Sequence, residues 1–275
     1  MLSIIIPTCH RNDLLANCLE RLAPGAQALA PECYEVIVTD DGTRSTAEQM
    51  MREHFPWAIW KQGPHTGPAS NRNNGAKNAS GDWLVFTDDD CLPDRNWLSA
   101  YHNAIQSQPE CCVFEGRTYA DQPRDSLAEV SPINETGGYL WSCNFSIRRT
   151  LFEQMNGFDE RFPYAAMEDV DLCRRIKEAG KTVRFVKRAA VCHPWRTVSG
   201  VKALRQHEES TLIYLSLHPD ERQRINSQFY LRRHVRLMIY DTLPGIVQCR
   251  GRGLGQALLT HAFGMRTAVR LLLRV

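Results

Sequence analysis

The sequence predicts an α/β fold: a mostly parallel sheet flanked by helices, followed by a helical C-terminal extension. Three observations carry this. Short β-branched runs alternate with helix-patterned segments through residues 2–90. Two of those runs end in acidic clusters. After Trp195 the pattern becomes helical and basic.

The elements follow in order. Leu2–Pro7 is apolar and β-branched, which suits a strand buried on both faces. Asn12–Leu22 carries Leu14, Leu15, Cys18, Leu19 and Leu22 at helical spacing. Tyr34–Thr39 is a second strand, ending at Asp40-Asp41-Gly42. Ser45 followed by Glu48 reads as a capping box that opens a helix to about Phe55. Pro68–Ala79 fits a further helix, and Trp83–Thr87 a strand ending at Asp88-Asp89-Asp90. This rhythm predicts parallel strands with helices on both faces. Ligands then bind outside the carboxyl ends of the strands, where both acidic clusters fall.

Tyr119–Gly138 is rich in Pro, Asp, Ser and Gly and reads as a long surface loop. Tyr139–Ile147 resumes a strand pattern. Glu168–Ala179 is a helix stopped by Gly180, and short strands Thr182–Val186 and Ala189–Cys192 follow. The expected domains are residues 1–195 and a basic helical extension, 196–275.

The 275 residues carry a net charge of only +2, which hides an asymmetry. From Arg196 onward 13 basic residues face 5 acidic ones, a net of +8, leaving the first 195 residues at −6. An acidic body with a basic tail points to an anionic partner for the tail. The acidic body and the absence of a binding motif argue against nucleic acid. The ten cysteines are scattered without a CxxC, and the N-terminus has no signal-peptide layout, so reduced thiols and a cytoplasmic location are expected. No run is apolar enough to span a bilayer. Gly251-x-Gly253-x-Gly255 lacks the GxGxxG spacing of a dinucleotide fingerprint.

Three adjacent carboxylates at a strand end repel one another unless a cation or good donors compensate. Asp88–Asp90 is therefore either a solvated acidic turn or a site for Mg²⁺ or Mn²⁺, which prefer oxygen ligands and substrate phosphates. Glu168-Asp169 is either a dipole-complementing helix start or a source of a general base. Asp171 can pair with Arg175 at i+4.

SIIIPTCHRNDLLANCLERL, EVIVTDDGTRSTAE, GPASNRNNGAKNASGDWLVFTDDDC, NFSIRRTLFEQMNGFDERF, EDVDLCRRIKEAG and the His of AVCHPW occur in one order over roughly residues 1–195. Together they resemble the family 2 glycosyltransferases of the GT-A fold. The resemblance implies an inverting transfer from a nucleotide-diphosphate sugar, UDP-sugar favoured, to a saccharide or lipid-linked acceptor hydroxyl, with Mn²⁺ or Mg²⁺. Surface polysaccharide or glycolipid synthesis is the implied setting. Pro7 and Thr8 would line the nucleotide pocket, and Asp40 or Asp41 would face base and ribose. Arg72 and Asn73 would lie near the nucleotide, as would Asp88 and Asp89. Asp90 would ligate the metal, with Asp88 on ribose or metal and His193 a further ligand. Asp169 would be the base, with Glu168 its rival. Trp141 and Asn144 would line the acceptor side. A nucleotidyltransferase on a related fold and a non-catalytic nucleotide-sugar binder are the alternatives.

Leu254–Leu273 is amphipathic, with apolar residues at 254, 258, 262, 265, 269 and 272 and a ladder of Arg266, Arg270 and Arg274. Its apolar face is expected to pack on the domain or, with the arginines, to lie on an anionic membrane at the inner face of the plasma membrane.

Overall fold

In the computed structural model, which describes residues 1–273, the strand β1 (Leu2–Thr8) leads into α1 (Asn12–Leu22), β2 (Tyr34–Asp40) and α2 (Glu48–His54). Then come β3 (Ile59–Gln62), α3 (Pro68–Lys77), β4 (Trp83–Thr87), β5 (Leu92–Pro93), α4 (Trp97–Ser107) and β6 (Val113–Tyr119). After β7 (Glu129–Val130) follow β8 (Asn144–Arg148), α5 (Arg149–Gln154), α6 (Glu168–Glu178), β9 (Val183–Cys192) and β10 (Arg196–Thr197). The C-terminal helices are α7 (Lys202–Leu217), α8 (Ser227–Leu237), α9 (Leu243–Gln248) and α10 (Leu254–Leu272), with a π turn, Met238–Thr242, joining α8 to α9. Arg274, the last rung of the expected ladder, lies outside the described residues.

Eight strands form one sheet in the order β3-β2-β1-β4-β8-β6-β9-β5. Strands β1 to β4 are mutually parallel, β8 runs against β4 and β6, and β9 is parallel to β6. The chain order reverses at β1 and β4, the kind of switch point beside which α/β sheets bind ligands. Alternate side chains serve opposite faces. Leu2, Ile4 and Ile6 meet Leu15, Leu19 and Trp97 on one side, while Ile5, Leu84 and Phe86 meet Leu172 and Ile176 on the other. Gly75 lets α3 lie against β1: a Cβ there would come within 2.5 Å of Ile5 Cγ2. That approach delivers Arg72, on the same helix, to the sheet's carboxyl edge.

Several local expectations are corrected. α2 forms, but without a capping box: Asp40 Oδ2 takes the Ala47 N–H at 2.6 Å, and Ser45 instead meets His10. A carboxylate already fixed at a strand end displaces a weaker local cap. The two short strands after α6 are one strand, β9, which keeps its pairing with β6 by a bulge: Gly116 pairs with Val186 and Arg117 with Ala190. β8 starts only at Asn144, because residues 139–143 form a turn in which Tyr139 and Trp141 stack.

The chain divides into two units, residues 1–121 with 132–194, and residues 122–131 with 195–275. In the second, β7 and β10 form a two-stranded sheet, α10 packs on α8, and Arg124 pairs with Asp241 at 2.8 Å. Arg252 pairs with Asp125. Among the described residues, no helix is long and apolar enough to cross a membrane. All ten cysteines are free thiols.

Of the two expectations for the tail helix, packing of its apolar face on the domain is not met. Leu258, Met265, Val269 and Leu272 are exposed, while Ala257, His261, Gly264 and Ala268 are buried. Arg266 and Arg270 turn to the buried carboxylate of Glu208, at 3.1 and 3.0 Å. Small residues let α10 approach α8 closely, so the large apolar side chains are left outside.

Candidate active site

Thr8 and Asp40 end β1 and β2, Asp88 follows β4, and His193 follows β9, all at one edge of the sheet. Glu168 and Asp169 begin α6. Their entry is fixed by Met167, whose φ of +72° is left-handed. Such a conformation costs a non-glycine residue free energy and persists where surrounding structure demands it.

Arg72 links these elements. Its guanidinium donates to Asp88 Oδ1 at 2.7 Å and to Glu168 Oε1 at 3.1 Å, and it lies over the Phe158 ring. Only 2% of the residue is exposed. Burial opposes its charge, but Asp88 and Glu168 outweigh burial and hold it protonated. Burial would raise Asp88, but Arg72, with His193 and Arg11, keeps it below the ordinary carboxylate range.

Arg11, which sequence reasoning left without a role, compensates the rest of the acidic cluster. Its guanidinium meets Asp89 Oδ1 at 2.5 Å and Asp90 Oδ2 at 3.1 Å. The available signal was its position just past the carboxyl end of β1, facing the next strand's carboxylates. Asp89 also accepts from Thr8 Oγ1 at 2.7 Å. Burial pushes Asp89 up to about 7 against these donors. It is wholly buried and serves as a strut between β1 and the loop after β4.

Three other residues expected at the site are hydrogen-bonded within the protein. Asn73 spends its amide on Phe158 N–H, Phe158 O and Glu160 Oε1, tethering the segment ahead of α6. Asn144 Oδ1 accepts from Trp97 Nε1 and Tyr101 Oη, and its Nδ2 donates to Arg117 O and Ala189 O. With every position filled, Asn144 braces the sheet. Asp40 is consumed by the Gly42 and Ala47 N–H groups. Asp41 remains half-buried at the rim, accepting from His65 N–H and Gly67 N–H at 2.9 and 3.2 Å. Pro7 is buried in β1.

Asp90 Oδ1 and His193 Nε2 lie 3.4 Å apart, and with Cys91 they form a buried trio of potential ligands. His193 Nδ1 is 3.0 Å from Pro194 O. A carbonyl only accepts, so Nδ1 carries a proton and Nε2 turns toward the carboxylate. Two lone pairs at this distance are reconciled by a ring proton or a shared cation. A ring N–H bound to a backbone carbonyl is the usual support of a metal-ligating histidine. Burial pushes the Cys91 thiol well up, which suits it poorly to hard cations. The residues thus fit an oxygen-preferring divalent ion through Asp90 and His193. Asp88 faces Arg72 instead.

Burial, then the charge of Asp169, pushes Glu168 up to about 8 against Arg72. Burial also raises Asp169, so the two carboxyls titrate as a pair. Asp169 accepts from Ser142 N–H at 3.2 Å and Val170 N–H at 2.8 Å. It is 8% exposed against 1% for Glu168, whose Oε2 is buried without a hydrogen bond. Trp141 stacks on Tyr139 at 5.2 Å, one residue from Ser142. Tyr139 was not singled out from sequence, although aromatics two apart before a strand are a readable signal. Asp171 pairs with Arg175 at 2.8 Å, as its spacing predicts.

Residues 3–174 match the family described as Glycosyl transferase family 2. That is more than half the chain, and the chain belongs to this family. Validoxylamine A glucosyltransferase of Streptomyces hygroscopicus subsp. limoneus is 27% identical over 221 residues, covering 66% of this chain and 48% of that protein. Pre-mycofactocin glycosyltransferase of Mycobacterium tuberculosis is 28% identical over 213 residues, covering 71% of this chain and 43% of that protein. The chain spans about half the length of these curated relatives. The structure of S. aureus TarS 1-349 in complex with UDP-GlcNAc superposes with a TM-score of 0.61 at 18% identity, over 97% of this chain and 90% of that one. The architecture is that of the GT-A fold.

Proposed function

We propose that this chain is an inverting glycosyltransferase that moves a sugar from a nucleotide-diphosphate donor, UDP-sugar favoured, to the hydroxyl of a saccharide or lipid-linked acceptor. The observation that carries this reading is the Arg72 bridge. One buried guanidinium ties Asp88, at the β4 end where a donor binds in such sheets, to the Glu168-Asp169 pair. A donor pocket and a proton acceptor are thereby held in one rigid frame. The family and the UDP-GlcNAc-bound structural neighbour support the donor class.

Asp41, half-buried at the rim, would meet base and ribose. Asp90 and His193 would hold Mn²⁺ or Mg²⁺, which neutralises charge on a departing diphosphate. Asp169 would take the acceptor proton: it is the more exposed of the pair, and Arg72 occupies Glu168. The Tyr139–Trp141 stack would carry the acceptor ring beside it. A setting in surface polysaccharide or glycolipid synthesis is supported by the likeness to poly(ribitol-phosphate) beta-glucosyltransferase of Bacillus spizizenii, 25% identical over 139 residues, 48% of this chain and 22% of that protein.

Single-turnover transfer with a nucleotide-sugar panel tests the base. Asp169→Asn should lower turnover by about 10²–10⁴-fold, the usual contribution of a general base, and leave donor affinity within about 1 kcal/mol. A more severe loss in Glu168→Gln reverses the assignment. Calorimetry of nucleoside diphosphates tests the metal site: affinity should fall about tenfold or more in chelator, and Asp90→Ala should abolish the difference. Equal affinity and turnover in chelator would remove the metal from the reading. Binding without turnover would favour a nucleotide-sugar sensor, and pyrophosphate release a nucleotidyltransferase.

A further inference from the structure

The second unit holds an apolar face that none of its own helices covers. Along α8, the π turn and α9, Leu231, Val235, Ile239, Leu243 and Val247 are all exposed, Val247 at 82%. Residues four apart drift by about 40° per step in a regular α-helix, so five of them would spiral through about 160°. The π turn at Met238–Thr242 holds an extra residue per turn and rotates the second half back. The stripe therefore stays on one side.

The neighbouring helix extends it. α10 runs antiparallel to α8: His261 meets Thr242, while the later Gly264 lies against His234. At about 100° per residue, Leu231 and Val235 sit roughly a quarter-turn from His234, the α8 contact point. Leu258, Met265 and Val269 sit a similar turn, in the same sense, from the His261–Gly264 contact line. In an antiparallel pair, equal rotations carry both sets to the same side. Two helices thus expose one continuous apolar surface.

Its charge identifies what covers it. Arg232, Arg233 and Arg236 are exposed and form no ion pair with any described carboxylate. With Phe229 and Tyr240 they line a groove of about 770 Å³. Arg232 and Arg236 each follow a stripe residue, about 100° further round the helix. The arginines expected from the sequence to meet anions, Arg266 and Arg270, are instead engaged by Glu208. The segment from Arg196 carries a net +8, so a second copy of the same face would bring like charges together. A surface with apolar side chains flanked by unpaired arginines matches the interface of an anionic bilayer.

We infer that α8, α9 and α10 form an interfacial membrane-binding face, in which the apolar stripe enters the acyl boundary and Arg232, Arg233 and Arg236 meet lipid phosphates. Binding needs neither donor nor acceptor, so it stands or falls apart from the proposed catalysis. The full chain is sedimented with phosphatidylcholine vesicles alone and with vesicles containing phosphatidylglycerol. It should bind the anionic vesicles and lose affinity in high salt. At roughly 1 kcal/mol per basic residue near the surface, Arg232→Gln with Arg233→Gln and Arg236→Gln should weaken binding by about a hundredfold. Arg266→Gln with Arg270→Gln is the contrasting pair and should weaken it far less. Val247→Trp reports insertion without touching the core: the emission of the introduced indole should shift to the blue and be quenched by brominated lipid. Absent binding to anionic vesicles, or an indole signal that stays unquenched in the bound Val247→Trp variant, overturns the inference. So does a stable dimer in which that indole is already shielded without lipid.

Discussion

In the first unit, Arg72, Asp89, Glu168 and Asp169 are buried, and each has a charged partner or a backbone donor in reach. In the second, Leu231, Val235, Ile239 and Val247 are exposed, and three arginines beside them form no ion pair with any described carboxylate. Each region inverts the usual partition of charge outside and apolar surface inside. The inversions have different causes. Buried charges at the sheet edge are compensated within the protein, so that region is defined by its internal network. The apolar helices are not compensated within the described residues, which is what the inferred membrane-binding face requires. Breaking the first should therefore unfold or inactivate the protein, whereas breaking the second should change only where it goes.

The sharpest test of that contrast is Arg72→Met. The substitution keeps length and apolar contact with Phe158 but leaves Asp88 and Glu168 without their shared cation. Removing one partner of a buried ion pair typically costs about 3–5 kcal/mol. Urea denaturation should show a loss of that size, and transfer should vanish. Arg232→Gln, an equal change of charge on α8, should move stability by less than about 0.5 kcal/mol. Similar losses at both positions would erase the distinction between the regions.

How much of this was legible follows from where periodicity is strong. β1, β2, β4, α1 and α6 were readable because their apolar positions repeat cleanly or run together, whereas α3, which carries Asn71, Arg72, Asn73 and Asn74, has almost no apolar period. β3, with Ile59, Lys61 and Gln62 exposed, is held by pairing with β2 and by Trp60 packed on the core, and carries little pattern. β6 and α4 also went unassigned. The carboxylates at strand ends were legible as a cluster, but not the division of labour among them. Asp40, Asp89, Asn73 and Asn144 are polar residues in the right places whose hydrogen bonds are spent on structure. Nothing in a sequence says whether an amide is already saturated. α10 misled for the opposite reason: its apolar period is real, but its close contact with α8 falls at Gly264, against His234, a small-residue signal weaker than the leucines beside it.

A smaller effect refines the picture of the carboxylate pair. Glu168 stands at about 8 in the folded protein against an ordinary value near 4.5. The folded state then binds more protons than the unfolded one between those values. Stability from this group is full below about 4.5 and is lost as pH rises through about 8. Glu168→Gln removes the titration, so its stability should fall less steeply than wild type over that window. Chemical denaturation at pH 5, 7 and 8.5 measures the slope. Parallel slopes would mean that Arg72 holds Glu168 ionised throughout, and that burial is the lesser influence.

The smallest expected effect lies at Met167, and it decides whether the α6 entry is imposed by geometry. A left-handed conformation costs an ordinary residue about 1–2 kcal/mol, and glycine avoids this while losing about 0.5–1 kcal/mol of chain entropy. Met167→Gly also loses a half-buried side chain, so these contributions nearly cancel and stability should stay within about 1 kcal/mol of wild type. Met167→Val keeps an apolar side chain, but branching at Cβ makes positive φ a genuine outlier. It should be less stable than the glycine variant by about 1 kcal/mol or more. If α6 then starts in another conformation, Glu168 and Asp169 shift from Arg72 and Ser142. Turnover should accordingly drop further in the valine variant than in the glycine one, with donor affinity little changed. Equal stability and equal turnover in the two variants would mean that the backbone at residue 167 is free to relax, and that the carboxylate pair is positioned by its hydrogen bonds alone.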